Sequence, residues 1–510
     1  MKIAISKNLT KPLSAKAAAT ATFDLPVLPL LETETRQTWV YRLLREAILR
    51  GSLQAGMRVP SSRALSKQLE VSRSTVEVAF DQLRAEGYVS GVVGSGTYVS
   101  AALPDQFLRA ASQAPARKSP APHAGSADAS ASATLRASRL DAAFVARIAD
   151  PTLFPLATWR RHLQAAARSL PMHELMGGDL FGSLSLRTQV ARYLGAARGI
   201  ACDPAQIVIV TGIRQALHLA GRALLKPTDT VLLEDPGYVL ASDIFAPYAQ
   251  SIVPVAIDAS GFSVADARRH ADARAAHITP AHQSPTGVTM PVARRLELLN
   301  WAKEQQVWLL EDDYDSEFNY RSAPLPALKN LDQHDRVIHC GSFNKTMFSE
   351  LRIGYMVVPR ALLPAFALAC RAMGPSVGVI EQRALASFIE DGGFARHVRR
   401  SRIVYASRRE RVLASLREAV APLPLHTSGE HGGFHFVWWL PECIPLAALL
   451  QQANVRSLRI DVVADHCRSS QMPPGILIGD SALSDEGLDD ALARLREAIA
   501  AARVDLAKRS

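Results

Sequence analysis

Apolar positions keep two rhythms along this chain, one helical and confined to an early segment, the other strand-like and spread over most of the remainder. Between residues 37 and 51, Val40, Leu43, Leu44, Ala47 and Ile48 recur on one helix face, and Gly51 stops the run. Pro60 and Ser61 open a short second helix over 61–68. Ser72 opens a third, in which Val76, Ala79, Phe80 and Leu83 form an i, i+3, i+4, i+7 stripe before Gly87 ends it. Tyr88-Val89-Ser90 and Thr97-Tyr98-Val99 flank Val93-Gly94-Ser95-Gly96, which predicts a hairpin. From about residue 140, short β-rich runs alternate with helical ones: QIVIVTG, TVLLEDPG, SIVPVAID, AHITP, VWLLEDDYD and RVIHCGS. Strands buried on both faces look like this, so the pattern predicts an α/β fold with a mainly parallel sheet. A long basic helix over about 395–419 leads to a final α+β segment, where Phe434, Phe436 and Trp438 alternate as core positions.

Composition adds the boundaries. Residues 101–139 are dominated by Ala, Ser and Pro, with too little apolar surface to fold, and residues 1–30 show no sustained period. The expected organisation is a flexible arm (1–30), a helical and hairpin domain (31–100), a linker (101–139), a large α/β domain (140–395), then the long helix and a small C-terminal domain (396–510). At 48% apolar and 21% charged, the chain is neither disordered throughout nor a coiled coil. Its net charge of +10 is uneven: the first 140 residues hold 18 Lys/Arg against 10 Asp/Glu, the rest 40 against 38. That asymmetry points to a polyanion partner for the first part and a different kind of partner for the second. No apolar run approaches the roughly 20 residues that span a bilayer, and the first residues lack the apolar core of a secretory signal. A cytoplasmic protein without a membrane partner is expected. The five cysteines lie far apart with no Cys-x-x-Cys, and His431 and His435 are isolated, so neither a disulfide framework nor a metal is expected.

Three helices and a hairpin, with the third helix beginning Ser72-Arg73-Ser74-Thr75, form the plan of a winged helix-turn-helix. Arg73 suits a bidentate contact to guanine, while Ser72, Ser74 and Thr75 suit phosphate or base edges at a helix N-terminus. Ser61, Ser62 and Arg63 offer further phosphate contacts, and Gly94, Ser95, Gly96 and Thr97 let bare backbone approach a duplex. Residues 36–100 resemble the GntR-type winged helix, joining Pro60-Ser61-Ser62-Arg63, Val71-Ser72-Arg73, Glu86-Gly87-Tyr88 and Gly94-Ser95-Gly96-Thr97 at that family's spacing.

In the body, Glu311-Asp312-Asp313-Tyr314 ends one apolar strand, Ser342-Phe343-Asn344-Lys345 follows the next, and Arg352 comes after it. A lysine at a strand end, flanked by small polar residues, is a candidate Schiff-base amine. An upstream carboxylate can hold a pyridinium nitrogen protonated, a phenol can meet a ring hydroxyl, and an arginine just past the lysine can neutralise a phosphate. Gly212, Ile213 and Arg214 open a helix whose backbone N–H groups suit a phosphate, and Tyr238 follows the next strand. This body resembles the class I, fold type I aminotransferases, which bind pyridoxal 5′-phosphate (PLP).

A GntR-type winged helix, a linker and an aminotransferase-like body carrying PAHQSPTG (280–287) and EDDYDSEF (311–318) together resemble the MocR/GabR subfamily of bacterial transcription regulators. The resemblance implies an α/β multidomain chain: a winged helix, then a PLP-dependent aminotransferase-like fold with a large, mainly parallel domain and an α+β small domain. It implies Lys345 as the PLP-bearing lysine, Asp312 as partner of the pyridine nitrogen and Tyr314 as partner of the 3-hydroxyl. Tyr238 would stack on the ring, and Ser342, Arg352, Gly212, Ile213 and Arg214 would hold the phosphate. Asp313 takes the place of Asp312 if the strand register slips by one. Operator DNA, a small-molecule amine effector and a second copy of the chain are the implied partners. Two alternatives stay open: a working aminotransferase with Lys345 catalytic and a DNA-binding module attached, and a regulator whose ligand is PLP itself. Ile476-Leu477-Ile478-Gly479-Asp480 places a leucine where amino-acid aminotransferases carry their carboxylate-binding arginine. Ordinary α-amino acids are therefore expected to bind poorly, unless Arg456, Arg459 or Arg468 supplies a displaced clamp.

Overall fold

The computed structural model describes residues 25–26, 28–31, 34–92, 96–100, 143–320, 326–374 and 377–503. Two compact units, Met1–Asp128 and Ala129–Ser510, make up the chain. Most of the expected arm, the whole linker, and Gly94 and Ser95 lie outside the described residues.

In the first unit, helices α1 (Arg36–Leu49), α2 (Ser62–Gln68) and α3 (Arg73–Ala85) precede the antiparallel strands β1 (Val89–Val92) and β2 (Gly96–Val99), paired with Gly91 opposite Thr97. Each helix starts on a hydroxyl cap: Thr35 accepts from Thr38 N, Ser61 from Ala64 N and Ser72 from Thr75 N. Such caps satisfy N–H groups that a helix start leaves open, at about 1 kcal/mol each. The stripes at Val40, Leu44, Ala47 and Ile48 and at Val76, Ala79, Phe80 and Leu83 meet in one core, closed by Leu65, Tyr88, Val89 and Val99.

The second unit is built on an eight-stranded sheet of β3 (Ile207–Val210), β4 (Thr230–Asp235), β5 (Ser251–Asp258), β6 (Gly261–Phe262), β7 (Ala273–Ile278), β8 (Trp308–Asp313), β9 (Val337–Ser342) and β10 (Gly354–Val357). The strand order is β3-β10-β9-β8-β7-β4-β5-β6. The run from β9 to β5 is parallel, as the apolar blocks predict. Two antiparallel strands depart from that expectation: β10, wedged between β3 and β9, and the short β6 on the edge. Helices α4 (Leu184–Arg198), α5 (Ile213–Leu224) and the single turn α6 (Phe343–Thr346) matter for the site.

The long helix α7 (Gly393–Val420) runs into a second sheet, fully antiparallel, of β11 (His426–Ser428), β12 (His435–Trp439), β13 (Asp461–Val462) and β14 (Gly475–Gly479) in the order β11-β12-β14-β13. With α8 (Leu446–Val455) and α9 (Asp485–Ala502) it encloses a core that includes Phe436, Trp438, Leu449, Ile476, Ile478 and Leu495. The basic run of α7 reads from sequence as a solvated face, and for two of its members the structure differs. Arg408 and Arg409 are buried, because Asp150 pairs with the first and Asp480 with the second. Arg409 also donates to the carbonyls of Gly429, Gly432 and Gly433. Among the described residues, no helix is long and apolar enough to cross a membrane.

Candidate functional site

β8 ends in three consecutive acids, and the two-residue period of a strand sends them to different faces. Glu311 is fully buried; its carboxylate accepts from His339 Nδ1 at 2.9 Å and from the backbone N–H groups of Leu328 and Lys329. Burial raises its pKa, but the His339 ring and these donors outweigh burial and bring it to about 2. Asp313 pairs with the buried Arg198 of α4 at 2.5 Å. Asp312, between them, turns the other way and lines a cavity of about 520 Å³, with His277 Nε2 at 3.5 Å from its carboxylate. The two register alternatives thus separate: Asp312 faces the cavity and Asp313 is held in a buried ion pair.

The same cavity gathers Thr211, Gly212, Ile213, Arg214, Tyr238, Tyr314, Ser342, Lys345 and Arg352, so all the sequence-predicted cofactor residues line one space. α6 begins immediately after β9, with the Ser342 hydroxyl accepting from Asn344 N at 3.2 Å. Buried Phe343 and Thr346 anchor this turn on either side of half-buried Lys345, whose Nζ donates to the Arg147 carbonyl at 2.8 Å. Asn344 ties the turn to its neighbours, donating to Thr211 O and accepting from Ile353 N. Gly212 stands before α5 with φ +141, and a Cβ there would sit 3.0 Å from Asn344 Nδ2, so glycine keeps the helix entrance as bare backbone. Arg214 Nε donates to the Tyr238 hydroxyl at 3.4 Å. Burial raises the phenols of Tyr238 and Tyr314, which therefore stay protonated near neutrality. The Tyr314 hydroxyl lies 3.2 Å from His282 Nδ1.

Two titratable cavity residues, Arg147 and His466, were missed in the sequence reading, along with Val239, Leu240 and Ser349. A lone arginine in the apolar stretch Phe144-Val145-Ala146-Arg147-Ile148 was the available signal; nothing local marks His466. Its loop is held by Asp235 at the end of β4, whose carboxylate accepts from the N–H groups of Arg468, Ser469 and Ser470 and from the Ser469 hydroxyl, at 2.7–2.8 Å. Leu477 is fully buried against Ala146, Val437 and Val463. None of the three arginines considered as a displaced clamp lines the cavity: Arg456 binds Gln452 and Glu497, the Arg468 guanidinium turns to Ser242, and Arg459 lines a different pocket. Elsewhere in the unit His282, Asp315 and His435 form a buried cluster whose candidate ligand atoms lie within 4.8 Å of one another, so His435 is less isolated than its sequence position suggests.

In the winged helix, the predicted contact residues form one outer surface at the starts of α2 and α3. Arg73 is two-thirds exposed; it pairs with Glu77 at 2.9 Å and donates to the Ser62 hydroxyl at 3.2 Å, while Ser72, Ser74 and Thr75 link through their hydroxyls. Arg63 is exposed beside them. Gly96 and Thr97 open β2, and a Cβ on Gly96 would strike Arg58.

The two units are thus a winged helix of the DNA-reading plan and an aminotransferase fold with a lysine-centred cavity, the combination of a DNA-binding transcription regulator. Residues 36–99 match the model of bacterial regulatory proteins of the gntR family, and residues 152–474 that of aminotransferase class I and II. The chain is 33% identical over 470 residues to the probable rhizopine catabolism regulatory protein MocR of Rhizobium meliloti, covering 91% of this chain and 93% of that protein. It is 31% identical over 490 residues to the HTH-type pyridoxine biosynthesis transcriptional regulator PdxR of Corynebacterium glutamicum, covering 93% and 99%. Among solved structures, kynurenine aminotransferase of Pyrococcus horikoshii superposes with a TM-score of 0.66 at 24% identity, covering 74% of this chain and 95% of that one, which is a likeness of fold. The chain belongs to the MocR-type transcription regulators of the GntR family.

Proposed function

We propose that the Lys345 cavity holds PLP and senses a small amine, and that the winged helix carries the outcome to an operator. The carrying observation is the convergence of Lys345, Asp312, Tyr314, Tyr238, Arg214 and Arg352 on one cavity beside the bare-backbone entrance of α5. These residues fit the cofactor. The N–H groups at Gly212, Ile213 and Arg214, with Ser342 and Arg352, would take its phosphate. The Asp312 carboxylate would hold a proton on the pyridine nitrogen, the Tyr314 hydroxyl would meet the 3-hydroxyl, and the Tyr238 ring would lie against the ring face. Bound there, PLP supplies an aldehyde that an amine can occupy. Lys345 would be its attachment point, the place an effector amine would compete for. The Lys345 Nζ donates to the Arg147 carbonyl, which joins the sheet's strand-end turn to the segment leading into the unit, so a change at that amine would be felt there. A homodimer would place two winged helices on repeated half-sites.

Leu477, standing where amino-acid aminotransferases carry their carboxylate-binding arginine, is buried off the cavity lining and offers no donor to a substrate acid, which favours sensing over turnover. Operator binding by the full-length protein, measured by fluorescence anisotropy without PLP, with PLP, and with PLP plus α-amino, ω-amino and diamine compounds, tests the reading. An affinity change with an amine supports it. Steady product formation from an α-amino acid and a 2-oxo acid would make the protein an aminotransferase instead, and a response to PLP alone would make the cofactor the signal.

On the DNA side, Arg73→Ala is expected to cost about 1–3 kcal/mol on the operator and to relax one base position, as for a bidentate guanine contact. Arg63→Ala should weaken all sequences alike and reduce the salt slope. Equal losses for Arg73→Ala on operator and random DNA would remove its base-reading role.

A further inference from the structure

Arg147 meets the cavity twice. Its carbonyl accepts from Lys345 Nζ at 2.8 Å, and its guanidinium enters the same space, donating to Ser284 Oγ at 3.0 Å and lying 3.4 Å from His466 Nε2. The residue sits at φ +66, in the left-handed region that side chains other than glycine rarely adopt. Backbone strain of this kind gathers where a surrounding site holds a residue in place for a task.

The charge is the unusual part. An arginine stays protonated at any ordinary pH and offers five donors. Both contacts of this guanidinium are neutral: a hydroxyl, and an imidazole that burial and then Arg147 itself hold down to about 4. Among the described residues no carboxylate lies within 4 Å of it. Arg198, Arg408 and Arg409 each pair with an aspartate, and Arg295, which also lacks an acid, donates to three backbone carbonyls, whereas Arg147 has only two neutral side-chain contacts. The remaining cavity guanidiniums belong to the phosphate end in the reading above, Arg214 at the entrance of α5 and Arg352 after α6. Leu477, where an arginine clamp would have stood, is buried in the core and supplies no donor to the cavity.

We propose that Arg147 is the anion clamp of the effector pocket: the effector is an amine that also carries an acidic group, carboxylate or sulfonate, which replaces Ser284 and His466 as the acceptors of the Arg147 guanidinium. The inference rests on the reading of this cavity as the cofactor and effector site. It names the substrate class and moves the clamp from the late strand of the small sheet to the segment before the first helix of the fold.

The test uses the full-length protein loaded with PLP, titrated with ω-amino acids of three to five carbons and with n-alkylamines of equal length, following the visible absorbance of the bound cofactor. The acid-bearing amines should bind roughly 10- to 100-fold more tightly, the range of a charge-assisted pair. Arg147→Gly, which also suits the positive φ, should erase that difference while leaving alkylamine affinity in place, and Arg147→Lys should keep part of it. Calorimetry with propanoate, which needs no cofactor, should show binding to the wild type and none to Arg147→Gly. A preference retained in Arg147→Gly, or loss of the cofactor itself in that variant, would overturn the clamp. A wild type that never takes up PLP but still binds propanoate through Arg147 would sink the cofactor reading and leave the clamp standing.

Discussion

The Lys345→Ala protein is expected to come through desalting colourless after incubation with PLP, whereas the wild type keeps a visible absorbance band and, after borohydride, a mass increase on the peptide holding residue 345. The effect is all-or-none because Lys345 is, among the described residues, the single lysine lining the cavity, and its amine is presented by a turn pinned at Phe343 and Thr346 and tied through Asn344 to Thr211 and Ile353. An arginine cannot substitute, since it does not lose its proton. Asp312→Ala should weaken retention without abolishing it, because the phosphate and phenol contacts remain. Asp313→Ala should instead lower the stability of the unit by about 3–5 kcal/mol, since it strands Arg198 in the interior. A borohydride-fixed cofactor in Lys345→Ala would remove the lysine from this role, and loss of PLP from Asp313→Ala without loss of stability would reverse the two aspartates.

Asp480→Ala is expected to destabilise the aminotransferase-fold unit by about 3–5 kcal/mol while the winged helix melts as before. Both partners of the Arg409–Asp480 pair are at most 2% exposed, and the guanidinium also lies 5.2 Å from the Tyr320 ring and 5.0 Å from that of Phe436. Removing the acid leaves a cation that water cannot reach. Replacing both residues by Met and Ala should recover only part of the loss, because the carbonyls of Gly429, Gly432 and Gly433 then lose their donor. Denaturant unfolding followed by far-UV circular dichroism would separate the two transitions; a change under 1 kcal/mol would mean that solvent reaches Arg409.

What the sequence made legible here was largely local. The three helices of the winged unit announce themselves because stripe, cap and stop all lie within fifteen residues of one another, and Ser61, Ser72 and Gly87 mark their ends. Strand β10 escaped because GYMV is four residues long; one partner, Ile207–Val210, lies far away in the chain, and the other, the end of β9, is separated from it by the irregular turn that carries Lys345 and not by a hairpin signal. The acids of β8 were visible as a group, but which of them faces the cavity depends on the pleat, and a shift of one residue would exchange them. Arg408 and Arg409 look solvated because helix patterning reports charge and says nothing of Asp150 and Asp480, whose positions only the tertiary fold supplies. Arg147 combines both difficulties, since neither a positive φ nor proximity to residues 284, 345 and 466 can be read from its neighbours.

The carboxylate of Asp235 sets how the cavity treats guests of the wrong size. The segment from His466 to Ser470 could recede from Lys345 only by stripping four donors from that single acid, three of them backbone N–H groups, and by breaking the bond from Gly237 N to His466 O. A free side chain swings aside at far lower cost. This wall is consequently a stop and not a door, and a bulky guest would meet refusal there. Adaptation falls to the exposed Val239 and Ser349 on the lining, which can be exchanged without touching those bonds. If the cavity senses an amine as proposed, substitutions at those two positions would change which amine it accepts while leaving this wall in place.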